Sequence, residues 1–349
     1  MSLWKPQDII ESAIRVLKHG PKAKGLKKPG RRKIYQGEVV QVLEKIWEIY
    51  GRICSKRLHP FLPEGVQILE RCDELSLSPE TKRLLLSMSR ATIDRCLKKA
   101  RFTHPQHGIS TTKPGSLLKQ AIQVRTFTPW EDERPGFLEI DLVAHCGSSV
   151  EGIYLNTLTA TDLATGWTEC LALPNKTQAA VSAAIELLRR DLPFPLLGLD
   201  SDNGSEFINN TLYRYCLAEK ITFTRSRPYQ KNDQAHVEQK NWSVVRHTVG
   251  YDRLETPAEL ELLNSIYSDL RLYINFFQPV LKLVGKERID GKTIRKYDHA
   301  KTPFRRVQIL DQLTLDIKAR LTAQYMKLNP VTLRASIDAK VALLWKIVR

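Results

Sequence analysis

Apolar and polar residues recur along this chain with two different periods, and the period changes twice. From residue 37 to residue 100, and again after residue 310, apolar positions recur every three or four residues, which predicts helices. In the part between them, short apolar runs alternate with helical stretches. The runs predict five strands, at 136–146, 152–161, 166–173, 196–202 and 221–225. The helical stretches predict helices at 177–190, 206–218, 235–245 and 257–277. We therefore expect a mixed α/β core that lies between two helical regions.

Proline, glycine and charge mark the boundaries of these parts. Residues 15–33 hold nine Lys or Arg and no acid, and Gly and Pro interrupt them, which is typical of a flexible basic arm. Residues 101–135 contain four prolines and little periodicity, as an extended linker does. The sequence thus predicts five segments: an arm at 1–33, a helical region at 34–100, a linker at 101–135, an α/β core at 136–280 and a basic helical region at 281–349.

The charge is distributed unevenly over these segments. The chain carries a net charge of +16, of which residues 1–135 hold +12 and residues 251–349 hold +7, whereas residues 136–250 hold −3. A polyanion would therefore bind mainly to the two basic flanks, where lysine and arginine neutralise phosphates and release counterions. The acidic balance of the middle segment is what a metal-binding centre would require.

Cysteine usage and hydropathy indicate the cellular compartment. The six cysteines are scattered without paired spacing, which fits a reducing compartment better than a disulfide framework. No apolar stretch approaches the length that spans a bilayer, and the N-terminus lacks a signal-peptide pattern. We expect a cytoplasmic protein without a membrane partner.

Three acidic residues stand at the ends of predicted core elements. Asp141 lies inside the apolar run Phe137-Leu-Glu-Ile-Asp-Leu-Val-Ala144, and Asp202 closes a second apolar run directly before the turn signal Asn-Gly. Glu238 falls in a stretch of helical spacing that contains no Gly or Pro. Carboxylates are costly in an apolar core unless something positive pairs with them. Divalent cations such as Mg²⁺, which prefer hard oxygen ligands, would fill that role.

The segments that carry these acids resemble a known family. Leu138-Glu-Ile-Asp141, Asp202-Asn-Gly-Ser-Glu-Phe207 and His236-Val-Glu-Gln-Lys-Asn-Trp242 resemble the three signature segments of the DDE transposases and retroviral-type integrases, in particular those of bacterial insertion sequences. The likeness covers roughly residues 120–310. It implies a ribonuclease-H-like core, a mixed five-stranded sheet flanked by helices, with which the predicted order of elements agrees. It also favours Asp202 over the nearby Asp200, because Asp202 immediately precedes Asn-Gly.

The resemblance implies the chemistry as well. Asp141, Asp202 and Glu238 would be the catalytic residues and the ligands of two Mg²⁺ ions, with Mn²⁺ as a substitute. Asp141 would bridge the ions, and Asp202 and Glu238 would each hold one of them. The reaction would be phosphodiester hydrolysis at the ends of a mobile element, followed by strand transfer into target DNA. The partners would be double-stranded DNA and further copies of the chain, in a prokaryotic nucleoid.

Two short helices before the linker have the pattern of a helix-turn-helix. Ser78 and Ser89 each stand at a predicted helix start, and Ser87-Met-Ser89 forms the turn. On the second helix, Arg90, Thr92 and Arg95 would reach base edges, whereas Lys98 and Lys99 would hold phosphates. The motif by itself is weak, since any helical hairpin with a basic face looks similar, but its position before an integrase core favours DNA binding at 34–100.

Basic residues also surround the predicted catalytic site. Lys240 and Arg246 lie on or near the Glu238 helix and would hold phosphates, and Arg227 and Lys231 belong to a basic loop suited to positioning a strand. Trp242, one turn after Glu238, is expected to pack in the core rather than against a base.

Two alternatives stay open at this point, and the N-terminus adds a further expectation. A nuclease of the same fold would need the same carboxylates but not the basic helix-turn-helix. A transposon-derived protein that binds DNA without cutting it would need the helix-turn-helix alone. Ser12-Ala-Ile-Arg-Val-Leu17 resembles the end of an upstream recognition helix, whereas residues 1–10 do not resemble its remainder. This pattern predicts an N-terminally shortened copy with poor discrimination of element ends.

Overall fold

The structure is a computed structural model, and it describes residues 34–103, 123–124, 134–202, 204–226, 235–289 and 292–348. Residues Glu38–Arg349 form one compact unit, separate from Met1–Gly37. The basic arm, most of the linker and the loop at 227–234 lie outside the described residues. The division into five segments stays a prediction.

The first described region is helical, as predicted. Its helices are α1 (Glu38–Ile49), α2 (Ser55–Arg71), α3 (Pro79–Leu86) and α4 (Arg90–Cys96). The Ser78 hydroxyl accepts the Thr81 N–H at 3.1 Å and so caps α3, and Ser89 caps α4 in the same way. Helix α2 contains two prolines, Pro60 and Pro63. Its apolar face, buried from Leu58 onward, outweighs the cost of those prolines.

The core is built on one mixed sheet. Its strands are β1 (Gln123–Val124), β2 (Phe137–Ala144), β3 (Asn156–Asp162), β4 (Thr168–Leu173), β5 (Gly198–Ser201) and β6 (Thr222–Arg225). Strands β2, β3 and β4 are antiparallel neighbours, and β5 and β6 continue the sheet in parallel to β2, in the order β1-β6-β5-β2-β3-β4. The five expected strands and the ribonuclease-H-like arrangement are confirmed. The two-residue β1 adds a sixth strand inside the segment predicted to be a linker, where it pairs with β6.

Helices flank this sheet. They are α5 (Gln178–Asp191), α6 (Asn210–Ala218), α7 (Ala235–Lys240), α8 (His247–Val249) and α9 (Pro257–Phe277). The helix expected at 235–245 is α-helical only as far as Lys240 and continues as a π-helix over residues Asn241–Arg246. A wider turn of this kind is frequent at functional sites. Helix α9 begins with a capping box formed by Thr256 and Glu259 and packs its buried face against the sheet.

The last region is only partly helical, which differs from the prediction. It begins with a hairpin of β7 (Leu283–Ile289) and β8 (Lys292–Tyr297) and continues with α10 (Pro303–Ile309), α11 (Leu315–Lys327) and α12 (Pro330–Val348). Within the described residues, strands β7 and β8 form a two-stranded sheet of their own. Because this hairpin is not part of the core sheet, its short, charged sequences lack the apolar run from which a strand can be predicted. No helix in the described part of the chain is long and apolar enough to cross a membrane.

The first and last regions are tied to the core and to each other. The Gln278 amide, at the end of α9, donates to the Tyr50 carbonyl at 2.7 Å, and the Arg57 guanidinium donates to the Pro279 carbonyl at 2.6 Å. The Arg71 guanidinium lies 4.6 Å from the centre of the Tyr325 ring, which stacks on Phe304. These contacts bring α2 close to the segment that follows α9.

Candidate catalytic site

Asp141 and Asp202 come together at one edge of the sheet. Strands β2 and β5 are parallel, and Ile140 of β2 is the register partner of Ser201 of β5. The predicted catalytic aspartates are the next residues in the chain: Asp141 follows Ile140 on β2, and Asp202 follows Ser201 directly after the end of β5. The turn after β5 holds Asp202, because the Gly204 N–H donates to its Oδ1 atom at 2.8 Å. A Cβ atom at Gly204 would stand 2.9 Å from that same oxygen, so a larger residue there would displace the Asp202 carboxylate.

Asp141 is half-buried and has a donor on each of its carboxylate oxygens. The Leu142 N–H donates to Oδ1 at 2.8 Å, and the Asn241 side-chain amide donates to Oδ2 at 2.6 Å. Burial, and then the negative charge of Asp202, raise the pKa of Asp141 to about 7, and Glu238 adds to this repulsion. The three predicted ligands therefore act on one another electrostatically. Burial also raises the pKa of Asp202.

Glu238 is exposed on α7, and this helix is fastened to β2 at two points. Val237, one residue earlier, is fully buried, and its N–H donates to Oε2 of Glu139 at 3.1 Å. Asn241, three residues later, holds Asp141. The strand that carries Asp141 therefore also positions the helix that carries Glu238.

The described residues contain no group of three His, Cys, Asp or Glu side chains placed to share a metal ion. The residues nevertheless fit a cation. The negative charges of Asp202 and Glu238 both act on the Asp141 carboxyl, and the buried Oδ1 atom of Asn241 accepts no hydrogen bond from the described residues. Carboxylate and amide oxygens are the ligands that hard divalent cations prefer.

Asp200 has a different environment from Asp202, although both lie on the same face of β5 by the period of two. Asp200 is fully buried, and its Oδ1 atom accepts the Thr224 hydroxyl at 2.6 Å. Asp200 is also the register partner of Glu139, which lies two residues before Asp141 on β2. This geometry supports a structural role for Asp200.

Lys240 and Arg246 are less exposed to solvent than side chains that bind DNA phosphates at a protein surface. Lys240 is buried, and burial and the nearby Arg57 lower its pKa to about 7. The Arg246 guanidinium donates to the carbonyls of Ala144 at 2.7 Å and Gly250 at 3.3 Å. Their DNA contacts stay predictions, as do those of Arg227 and Lys231, which lie outside the described residues.

Trp242 contradicts the expectation that it packs in the core. Its side chain is 55% exposed, and its ring contacts His247 at a centroid distance of 6.2 Å. It is therefore an exposed aromatic side chain one turn after Glu238. The expectation assumed a regular α-helix, in which the apolar spacing places this ring on the buried face. The π-helix that begins at Asn241 has a wider turn, and this changes the direction of the side chains that follow.

Comparison with known proteins places this geometry in a family. Residues 131–231 match the family described as integrase core domain. Over 272 residues the chain is 41% identical to the uncharacterized protein y4rM of Sinorhizobium fredii (strain NBRC 101917 / NGR234), with 78% of each chain covered. The chain belongs to the y4rM family and carries an integrase core. The catalytic core domain of BIV integrase, a solved structure, is similar over 40% of this chain and 83% of that chain, with 20% identity and a TM-score of 0.31.

The predicted DNA-reading residues of this integrase-core chain lie on α4 and just after it. Arg90, Arg95, Lys98 and Lys99 are exposed, and Thr92 is half-buried. The Arg95 guanidinium donates to the Thr92 hydroxyl at 3.1 Å, which holds both side chains on one face. Helices α3 and α4 are joined by the turn at residues 87–89, whereas the helix-turn-helix assignment and the DNA contacts stay predictions.

Sequence reasoning missed Glu139 and the role of Asn241 in this integrase core. Both had a signal in the motifs. Glu139 lies two residues before Asp141 and therefore on the same strand face, and Asn241 lies three residues after Glu238, one helical turn away.

Proposed function

We propose that this chain is a metal-dependent DNA transposase of the integrase type. It would hydrolyse phosphodiester bonds at the ends of a mobile element and transfer the resulting 3′-hydroxyl into target DNA. The observation that carries the proposal is the meeting of Asp141 and Asp202 at the edge of the parallel pair β2 and β5, with the Glu238 helix fastened to β2. The integrase core at 131–231, which includes both aspartates, supports it.

Asp141, Asp202 and Glu238 would hold two Mg²⁺ ions, for which Mn²⁺ can substitute. Such ions activate an oxygen nucleophile and stabilise the leaving 3′-oxygen of an in-line displacement. The chain's own residues prepare the site: Gly204 and Leu142 direct the aspartate oxygens through their N–H groups, and Asn241 holds Asp141 in place. The reaction requires no covalent intermediate on the protein, so no Ser, Tyr or Cys nucleophile is needed.

The partners belong to the same proposal. Double-stranded DNA would bind along the basic flanks, with Arg90, Thr92 and Arg95 at base edges and Lys98 and Lys99 at phosphates. Arg227, Lys231, Lys240 and Arg246 would hold DNA near the catalytic site. A complex on two element ends would contain more than one copy of the chain, in the cytoplasm of a prokaryote.

The test is strand cleavage and strand transfer with DNA that flanks the gene, in the presence of Mg²⁺ or Mn²⁺. We expect Asp141→Asn, Asp202→Asn and Glu238→Gln each to abolish cleavage while DNA binding stays largely intact, because binding energy comes mostly from the basic flanks. Asp200→Asn is the matched control on the same strand and should cleave far better than Asp202→Asn. The reverse order would show that the site is assigned to the wrong aspartate.

One observation favours a second candidate, a transposon-derived protein that binds DNA ends without cutting them. Over the described ranges, the three carboxylates are not gathered around one point that a metal could occupy. The same cleavage experiment separates the two functions. End binding that persists without any metal-dependent nicking, at every Mg²⁺ and Mn²⁺ concentration tried, would support the second candidate.

A further inference from the structure

A cavity of about 540 Å³ lies on the side of α7 away from Glu238. Its walls come from the start of α2, the end of β3 with the turn that follows it, the helix that carries Glu238, the segment after α9, and single residues of β8 and α10. Gln239, Lys240 and Ser243 form the wall on the side of the Glu238 helix. Residues two apart on a helix point to different faces, so Lys240 faces this cavity while Glu238 faces elsewhere.

The charged residues of the described lining are all basic. They are Lys56, Arg57, Lys240, Lys282 and Arg306, and we call the cavity they line the basic pocket. Arg306 is paired with Asp298 at 2.7 Å. Arg57 and Lys240, by contrast, line the pocket and form no ion pair with a carboxylate of the described residues.

Like charges that are gathered in a partly buried place destabilise the fold unless an anion balances them. Arg57 is held there by its hydrogen bond to the Pro279 carbonyl, and Lys240 by its position on the catalytic helix. The Ser243 hydroxyl and the Gln239 amide also line the pocket and offer further hydrogen bonds. Lysine and arginine together with such groups are the donors that bind phosphate.

The size of the basic pocket restricts the ligand. A volume of about 540 Å³ is typical of sites that enclose one small molecule, and a DNA duplex is too wide to enter it. One unpaired nucleotide would fit. Tyr297, whose side chain is 50% exposed, also lines the pocket and offers a ring on which a base can stack.

We propose that the basic pocket binds the phosphate groups of an unpaired DNA strand end, with Lys56, Arg57 and Lys240 at the phosphates and Tyr297 against the base. This inference rests on the proposed function, because it takes DNA as the substrate. A free nucleotide presents the same phosphate chemistry and is the other source of the ligand. An occupied pocket would join the helical region, the core and the last region around the catalytic helix.

The experiment measures binding by fluorescence anisotropy in EDTA, so that neither cleavage nor a metal ion contributes. The probes are a labelled duplex with a four-nucleotide single-stranded end, the same duplex with a blunt end, and labelled ATP. The variants are Lys56→Gln/Lys240→Gln and, in case the buried lysine is needed for folding, Lys56→Gln/Lys282→Gln. Lys220→Gln/Lys346→Gln is the matched control, since both lysines are exposed and neither lines the pocket. Thermal melting checks that each variant is folded.

We expect both pocket variants to bind the duplex with the single-stranded end at least about tenfold more weakly, the loss typical of charged hydrogen bonds, with little change for the blunt duplex. The control should lower binding of both duplexes equally. If the pocket variants weaken the binding of ATP and of neither duplex, the phosphate site is supported and its ligand is a free nucleotide. Equal losses for pocket and control variants on all three probes would overturn the inference. Because the cleavage test uses other residues and requires metal, either proposal can fail without the other.

Discussion

Glu139 should control catalysis without touching the DNA. Its side chain is 1% exposed, and its Oε2 atom accepts the N–H of Val237, the residue before Glu238. Glu139 also lies two residues before Asp141 on β2, on the same face of the sheet. Together with the bond from Asn241 to Asp141, this buried hydrogen bond fastens the strand that carries Asp141 to the helix that carries Glu238.

The expected cost of removing this bond follows from its chemistry. Glu139→Leu leaves the buried Val237 N–H without this acceptor, which should lower the free energy of unfolding by about 1–3 kcal/mol. The larger effect should be on the reaction, since a misplacement of about 1 Å at a catalytic group can lower the rate about 100-fold. Glu139→Gln keeps an acceptor oxygen in the same place, so its reaction rate should fall by less than about tenfold.

The assay is metal-dependent strand transfer of pre-cut DNA, with DNA affinity and thermal stability measured on the same samples. Glu169→Gln is the matched control: it changes another buried carboxylate of the sheet, which contacts Trp167 and Arg271 rather than the Glu238 helix. We expect Glu139→Leu to reduce the rate with unchanged DNA affinity, and Glu139→Gln to restore it. A Glu139→Leu protein that transfers strands at the normal rate, or that loses activity only as far as it is unfolded, would refute the reasoning.

Three further predictions concern other parts of the molecule. Burial raises the pKa of Glu169 from 4.5 to about 7, although Arg271 lies beside it, so between these pH values the folded state keeps a proton that the unfolded state has lost. The free energy of unfolding should therefore fall by about 3 kcal/mol between pH 4.5 and 7. Urea denaturation curves measured over this pH range should show the fall for the wild-type protein and not for Glu169→Gln. Trp242→Leu should weaken binding of DNA with unpaired bases by about tenfold, whereas Trp242→Phe should not, and equal affinities in a titration would show that the exposed ring does not stack. Arg90→Ala and Arg95→Ala should each reduce discrimination between element-end and scrambled duplexes by about 1–3 kcal/mol across a salt series, and equal losses on both duplexes would mean that α4 does not read sequence.

Local patterns were enough to predict the elements of the core and the residues placed at their ends. Strand β2 is an apolar run bounded by a Pro-Gly signal, and α9 is a helical stripe that begins at Thr256-Pro257, so each could be located from residues close in the chain. The meeting of Asp141 and Asp202 also follows from sequence once β2 and β5 are parallel neighbours. These features depend on periods of two and 3.6 residues, and a period is a local property.

Contacts between distant parts of the chain were decided only by the tertiary structure. Glu139 and Val237 are 98 residues apart, and Asp141 and Asn241 are 100 residues apart, so no local pattern pairs them. The basic pocket likewise needs several segments that are far apart in the chain. The exposure of Trp242 depends on a π-helical turn that the apolar spacing does not indicate. A sequence specifies which residues share the face of an element, whereas the packing of elements against one another specifies which faces meet.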